Sequence, residues 1–354
     1  MTYTKKLAGE NLIVRGRTFF TKKVEQLYEV RSKQLADLLD KIDFVATTAD
    51  AWSSPHRKKF IGETVHWFNE KNKRISGCLT IKRIIGSTSY LVIGRLLEKN
   101  HNDFNISGKV SMMTTDNGSN FLKSAREFSK HSGAPEFDED QCDEEYDHVE
   151  FLDLNTILSN LPQSSVLPTG VLPICLPPHS KCACHLSNLC CTVDLDKISD
   201  PTFNTIMKSV ETKVTKLCNA QNLSDNTSDL IRRELGGLFV KKNDTRWNSG
   251  YNSKFRVHHF ATTKKSELIK LMTQLKIEPF QPVEIKFLTE YLKIMKEVVD
   301  FLNIMQGESN IGMGYLLPSL FILEGKLNAF KEDPTICLCG PLVDKLTMSF
   351  SIRY

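Results

Sequence analysis

No stretch of this chain approaches the roughly 18 consecutive apolar residues that a membrane-spanning helix needs, so no membrane partner is expected. The amino terminus, MTYTKKLAGE, is polar and shows no signal peptide. The ten cysteines are scattered over 354 residues, apart from Cys182, Cys184, Cys190 and Cys191, and they do not form the dense spacing of a disulfide scaffold. They read as mostly reduced thiols of an intracellular protein. There is no internal repeat. What the chain does have is 40% hydrophobic residues, enough for one large domain or two.

Charge is ordinary in amount and uneven in place. Ten carboxylates lie between Glu136 and Asp153 with no Lys or Arg among them. A chain of net charge +4 that carries those ten is about +14 elsewhere. A basic body with one acidic loop suits a polyanionic partner, although a solvated surface with an acidic insert has the same composition.

The pattern of apolar residues changes along the sequence. Residues 1–40 read as helical, with Leu27, Val30, Leu35, Leu38 and Leu39 at roughly helical spacing. Three strand-like runs follow at 44–52, 60–68 and 75–85, rich in β-branched and aromatic residues. Their short separations predict an antiparallel meander. Ser87, Thr88 and Ser89 offer an N-cap for a helix over 90–99. A fourth strand is expected at 110–115, ending in the turn-forming Asp116-Asn117-Gly118, with a helix over 120–131 after it. Strand runs followed by strand–helix alternation predict a mixed α/β sheet. Residues 133–178, rich in Pro, Ser and acid, read as a long irregular insert. Beyond about residue 190 the pattern is helical throughout. Asp200-Pro201 is a helix start, with Asp as N-cap and Pro as first residue. Phe287, Leu288, Tyr291, Leu292, Met295, Val298, Val299 and Leu302 form one apolar helix face.

The residues with the most chemistry are Asp50 and Asp116. Each ends an expected strand and each follows the residue pattern Thr-Ala or Thr-Thr. If the first and fourth strands are neighbours, as in an RNase H-like sheet, both carboxylates project from one edge and can share a divalent cation, since Mg²⁺ takes hard oxygen ligands. Two such ions about 4 Å apart activate water and stabilise the leaving oxygen in phosphodiester cleavage. Two unrelated turn-forming aspartates would look the same in isolation. Trp52, two residues beyond Asp50, points to the same sheet face, where it either supports the site or packs.

The flanking residues carry a resemblance. Thr48-Ala49-Asp50-Ala51-Trp52-Ser53 and Thr114-Thr115-Asp116-Asn117-Gly118-Ser119-Asn120 resemble the first two acidic motifs of the hAT-superfamily DNA transposases. Cys182-Ala183-Cys184-His185 resembles the family's Cys-x-x-His motif, and Thr245-Arg246-Trp247-Asn248-Ser249 its Arg-Trp motif. The stretch from Phe287 to Pro318, including Met305-Gln306-Gly307-Glu308, resembles a later helical segment, and RGRTFFTKKVEQLY the segment before the core. The motifs occur in the family's order and cover most of the chain.

The resemblance implies an α/β fold: an RNase H-like mixed sheet interrupted by a large all-α insertion domain. The expected organisation is an N-terminal helical segment over 1–40, an RNase H-like core over 41–190 holding the irregular insert 133–178, and an incomplete helical insertion over 191–354. Asp50 and Asp116 become the first two acids of an Asp-Asp-Glu site binding Mg²⁺ or Mn²⁺. His185 is placed near the scissile phosphate as a third catalytic residue. Trp247 would stack on an extruded base, unless it is a packing aromatic, and Arg246 would contact phosphate or hold the tryptophan. Cys182 and Trp52 complete the expected DNA-contacting set. A structural zinc is not expected, because Cys182 and His185 lack a second ligand pair.

The family's third acid lies in a downstream Ser-Glu-Arg-type segment that also mediates dimerisation, and no such motif occurs here. The expectation is a nuclear, transposon-derived DNA-binding protein, cut off before that segment, catalytically inactive and weak in self-association. The alternative is an active metal-dependent transposase.

Overall fold

The computed structural model describes residues 16–129, 174–242, 248–307 and 313–354. The chain divides into two compact units, Met1–Lys181 and Cys182–Tyr354.

The first unit is mixed α/β. Helix α1 (Arg17–Leu39) leads into strands β1 (Val45–Ser53), β2 (Lys59–Phe68) and β3 (Arg74–Ile84). Helix α2 (Tyr90–Asp103), strand β4 (Val110–Thr115), helix α3 (Ser119–Phe128) and the short strand β5 (His179–Lys181) follow. The five strands form one sheet in the order β3-β2-β1-β4-β5. β1, β2 and β3 are the antiparallel meander expected from their short connections. β1 then pairs parallel with β4, and β4 parallel with β5, because the chain returns through helices rather than hairpins.

Period-two alternation fixes which side chains enter the core. In β2, Ile61, Glu63, Val65 and Trp67 are buried while their neighbours are not. Val65 and Trp67 pack with Leu39 of α1, Val45, Leu79 and Ile106. Ile61 packs with Ala49, Ile93 and Leu97 of α2, Met113 and Phe121 of α3. Ser89 occupies the N-cap of α2 with extended backbone, but its side chain makes no capping bond. The acidic run and most of the expected insert lie outside the described residues. Its last part, 174–178, is not a detached loop: Leu176 is fully buried in the core with Met113, its amide donates to the Phe128 carbonyl, and the Cys175 amide donates to Glu98.

The second unit is helical throughout its described residues. It contains α4 (Ala183–Cys191), α5 (Pro201–Gln221), α6 (Asp225–Leu235), α7 (Asn248–Thr263), α8 (Lys265–Gln274), α9 (Pro282–Met305), α10 (Leu316–Lys331) and α11 (Gly340–Arg353). Asp200 caps α5 by accepting from the Phe203 amide at 2.7 Å, with Pro201 as first helical residue. α9 starts with a capping box: Glu284 returns a bond to the Gln281 amide. Its apolar face, from Phe287 to Leu302, forms the centre of the unit's core.

Candidate functional site

β1 and β4 are parallel neighbours, paired as Thr48 with Thr114 and Ala49 with Thr115. Asp50 follows Ala49 inside β1, three residues before that strand ends at Ser53, and Asp116 is the first residue after β4, so the two acids expected from the sequence follow the last paired residues of two adjacent parallel strands. Asp50 is exposed and lies opposite Gly62 of β2. Asp116 is half-buried, and its Oδ1 accepts from the Gly118 amide at 3.1 Å, the short side-chain turn that the Asp-Asn-Gly sequence favours.

The face that carries Asp50 also carries Thr48 and Trp52. The Trp52 ring covers Gly62 so closely that a Cβ there would stand 3.0 Å from it, and it stacks on Phe60 at 5.9 Å. Trp52 is nonetheless 41% exposed, an aromatic plate held from below and open above. Further along the face, the Thr48 and Thr64 hydroxyls are 2.5 Å apart, and Thr64 lies 3.0 Å from His66 Nε2. Burial, with Arg74 nearby, lowers the His66 pKa and favours the neutral ring.

Two groups near the acids escaped the sequence reading. The Thr115 hydroxyl donates to the Asp116 carbonyl at 2.8 Å and lies 2.8 Å from Nε2 of His179 on β5. Burial, then the positive charge of Lys181, pushes His179 down to about 4, so at neutral pH it is an uncharged hydrogen-bonding partner. A three-residue strand gives no periodicity to read, and His179 had no other signal. On the face opposite Asp50, in register with Ala49 and Thr115, Glu63 is buried with Oε1 2.6 Å from His101 Nε2 and Oε2 accepting from Asn100 at 2.9 Å. Lys82 closes the network by donating to Asn100 Oδ1 at 2.6 Å. Here a signal existed: Glu63 occupies a core position in the alternation Ile61-Glu63-Val65, which calls for a buried partner.

The remaining expected residues belong to the second unit or lie outside the described residues. Cys182 is the N-cap residue of α4, and His185 lies half-buried within that helix. Cys182 hydrogen-bonds the Cys184 thiol and, with burial, pushes its pKa well up; burial pushes Cys190 up to about 12. Such thiols stay protonated at neutral pH. Arg246 and Trp247 lie outside the described residues. Among the described residues, no group of three or more His, Cys, Asp or Glu side chains converges to hold a metal ion.

No protein-family model matches the chain, and no curated protein matches it in sequence.

Proposed function

We propose that this chain is a transposon-derived, hAT transposase-like DNA-binding protein that works in the nucleus, and that it binds DNA without cutting it efficiently. The observation that carries this reading is that Asp50 and Asp116 each directly follow the last paired residues, Ala49 and Thr115, of two adjacent parallel strands. An RNase H-like sheet needs that adjacency, and the helical second unit suits the large insertion that the motif order implies. A body of about +14 outside the acidic run favours a polyanion.

Asp50 and Asp116 are hard oxygen donors of the kind Mg²⁺ or Mn²⁺ takes. One Asp116 oxygen already serves the Gly118 amide, and among the described residues no third acid joins the pair. The donor set fits one weakly held ion. A bound ion would supply electrostatic stabilisation of a phosphate oxygen, whereas efficient cleavage through two ions needs a further ligand. The chain's own residues do the binding: Trp52 offers an aromatic face for a base, Arg246 a planar cation for phosphate, and Trp247 a second stacking surface. His185 and Cys182 of the second unit are also assigned to DNA contact.

The test is binding and nicking of short DNA hairpins and duplexes with Mg²⁺ or Mn²⁺, comparing wild type with Asp116→Asn. Salt-weakened binding without nicking, unchanged in the variant, is the expected result. Metal-dependent nicking lost in Asp116→Asn would instead establish an active transposase. Absence of any DNA binding would overturn both readings.

A further inference from the structure

Helix α5 of the second unit has an outer ridge that its fold does not use. Lys208, Thr212 and Lys216 succeed one another at four-residue spacing, one above the other on the same exposed face. At 1.5 Å per residue, the two lysines stand about 12 Å apart along the axis. An open cavity of about 360 Å³ runs beside them, walled on the far side by Ile277 and Glu278. A second cavity of about 250 Å³ opens on the other flank of the same helix, lined by Thr215, Asn219 and the exposed Lys241 and Lys242.

The charges on and beside this helix fall into two classes. Lys213 is buried, 2.8 Å from Glu284, and Lys254 is buried against Glu211. Both are neutralised inside the unit and hold α5 in place. Lys208, Lys216, Lys241 and Lys242 are exposed and make no ion pair with any described residue. Glu211, the carboxylate on this stretch of α5, is committed to Lys254, so it does not offset them. Four lysines that make no ion pair with a described residue, with interleaved Thr and Asn side chains, therefore flank one ridge, against the single exposed carboxylate of Glu278 on the far wall of the first cavity. Such an array matches a chain of phosphodiesters, which offers one negative charge per nucleotide and accepts hydrogen bonds without regard to sequence.

We propose that the α5 ridge, with Lys208, Lys216, Lys241 and Lys242, is a track for the phosphate backbone of a DNA strand. This rests on the DNA-binding reading above and adds a surface to it. Lys241 and Lys242 also stand just ahead of Arg246 and Trp247 in the sequence, so the track and the expected stacking residue belong to one stretch of chain.

The experiment measures DNA affinity of the full chain as a function of salt. It compares wild type with Lys208→Gln/Lys216→Gln, with Lys241→Gln/Lys242→Gln, and with a control pair of equal charge, Lys265→Gln/Lys286→Gln. Each ridge pair is expected to lower the slope of log K against log salt by about 1.4 to 1.8, and to weaken binding roughly tenfold or more near 0.1 M salt. The control pair should shift both much less. Wild type that binds DNA while the ridge pairs behave like the control would overturn the track and leave the DNA-binding reading standing. Wild type that does not bind DNA would overturn both. Circular dichroism of each variant confirms folding, and exposed Lys→Gln changes leave the core untouched.

Discussion

His101 Nε2 lies 2.6 Å from Glu63 Oε1 beneath the sheet, and both side chains are almost wholly buried. This contact, with Asn100 on the other carboxylate oxygen, ties α2 to β2 one residue away in sequence from Gly62, the residue opposite Asp50. Glu63→Ala would leave the Asn100 amide and the His101 ring buried without their acceptor. The expected cost is about 3 kcal/mol of stability, with Glu63→Gln costing less. Urea denaturation of the purified chain measures it. A loss below about 0.5 kcal/mol, the range of ordinary surface changes, would mean the network does not hold the helix.

Gly94 marks a second tight contact, where α2 meets α3. A Cβ added there would stand 2.8 Å from the Phe128 ring and 3.0 Å from the Ser124 hydroxyl. Phe128 is held by stacking on Tyr90 at 5.9 Å, so the ring has limited room to retreat. Gly94→Ala should therefore destabilise by about 1–3 kcal/mol despite its better helix propensity. Gly108→Ala, where nothing lies within 4 Å of the new carbon, is the matched control and should be near neutral. Equal thermal midpoints for the two variants would refute the close-packing argument.

These contacts show what a single sequence discloses. The meander was legible because its three runs are rich in β-branched and aromatic residues and are separated by short, turn-prone segments. The capped start at Asp200-Pro201 and the stripe of α9 were legible from local patterns too. The neighbouring of β1 and β4 was only a supposition, because nothing local encodes which distant strands pair. β5 was not legible: three residues cannot show a period, and its place follows from hydrogen bonding to β4. Glu63 had a readable signal, because its parity with Ile61 and Val65 places it in the core. His179 became part of the acidic edge only through β5. Leu176 lay inside a stretch whose composition read as irregular, yet one buried leucine fastens its last residues to the core.

The titration of His179 follows from that placement. Burial and Lys181 lower its folded pKa to about 4, against an unfolded value near 6.5. The unfolded chain therefore binds the proton more readily. This group's contribution to stability is complete above about pH 6.5, and falls as the pH drops toward 4 by up to about 1.4 kcal/mol per unit. An imidazole titration followed by NMR should give a midpoint near 4. His179→Gln should flatten that part of the stability–pH curve. A midpoint at 6 or above would show that the ring is solvated and that its bond to Thr115 is not maintained.

In the second unit, Arg353 grips Asp194 with two hydrogen bonds, Nε to Oδ2 at 2.7 Å and Nη2 to Oδ1 at 2.9 Å. The pair joins α11 to the turn after α4, and Tyr354 adds a bond to Ser187 at 2.7 Å. Burial alone would raise the Asp194 carboxyl, but the Arg353 bonds, helped by Ser349 and Lys197, hold it below the usual range. Its folded pKa is thus depressed. The associated stability is present above the unfolded value near 3.9 and is lost as the pH falls through the folded one. Arg353→Gln should remove that acid-side step and cost about 2–3 kcal/mol at neutral pH, the worth of a charged hydrogen-bonded partner. Arg353→Lys keeps the charge but loses the two-pronged geometry, so it should recover only part of the loss. Full recovery by lysine would mean that charge alone, and not the paired geometry, fastens α11. Denaturant titrations of the three proteins at pH 7 and pH 3 separate these outcomes.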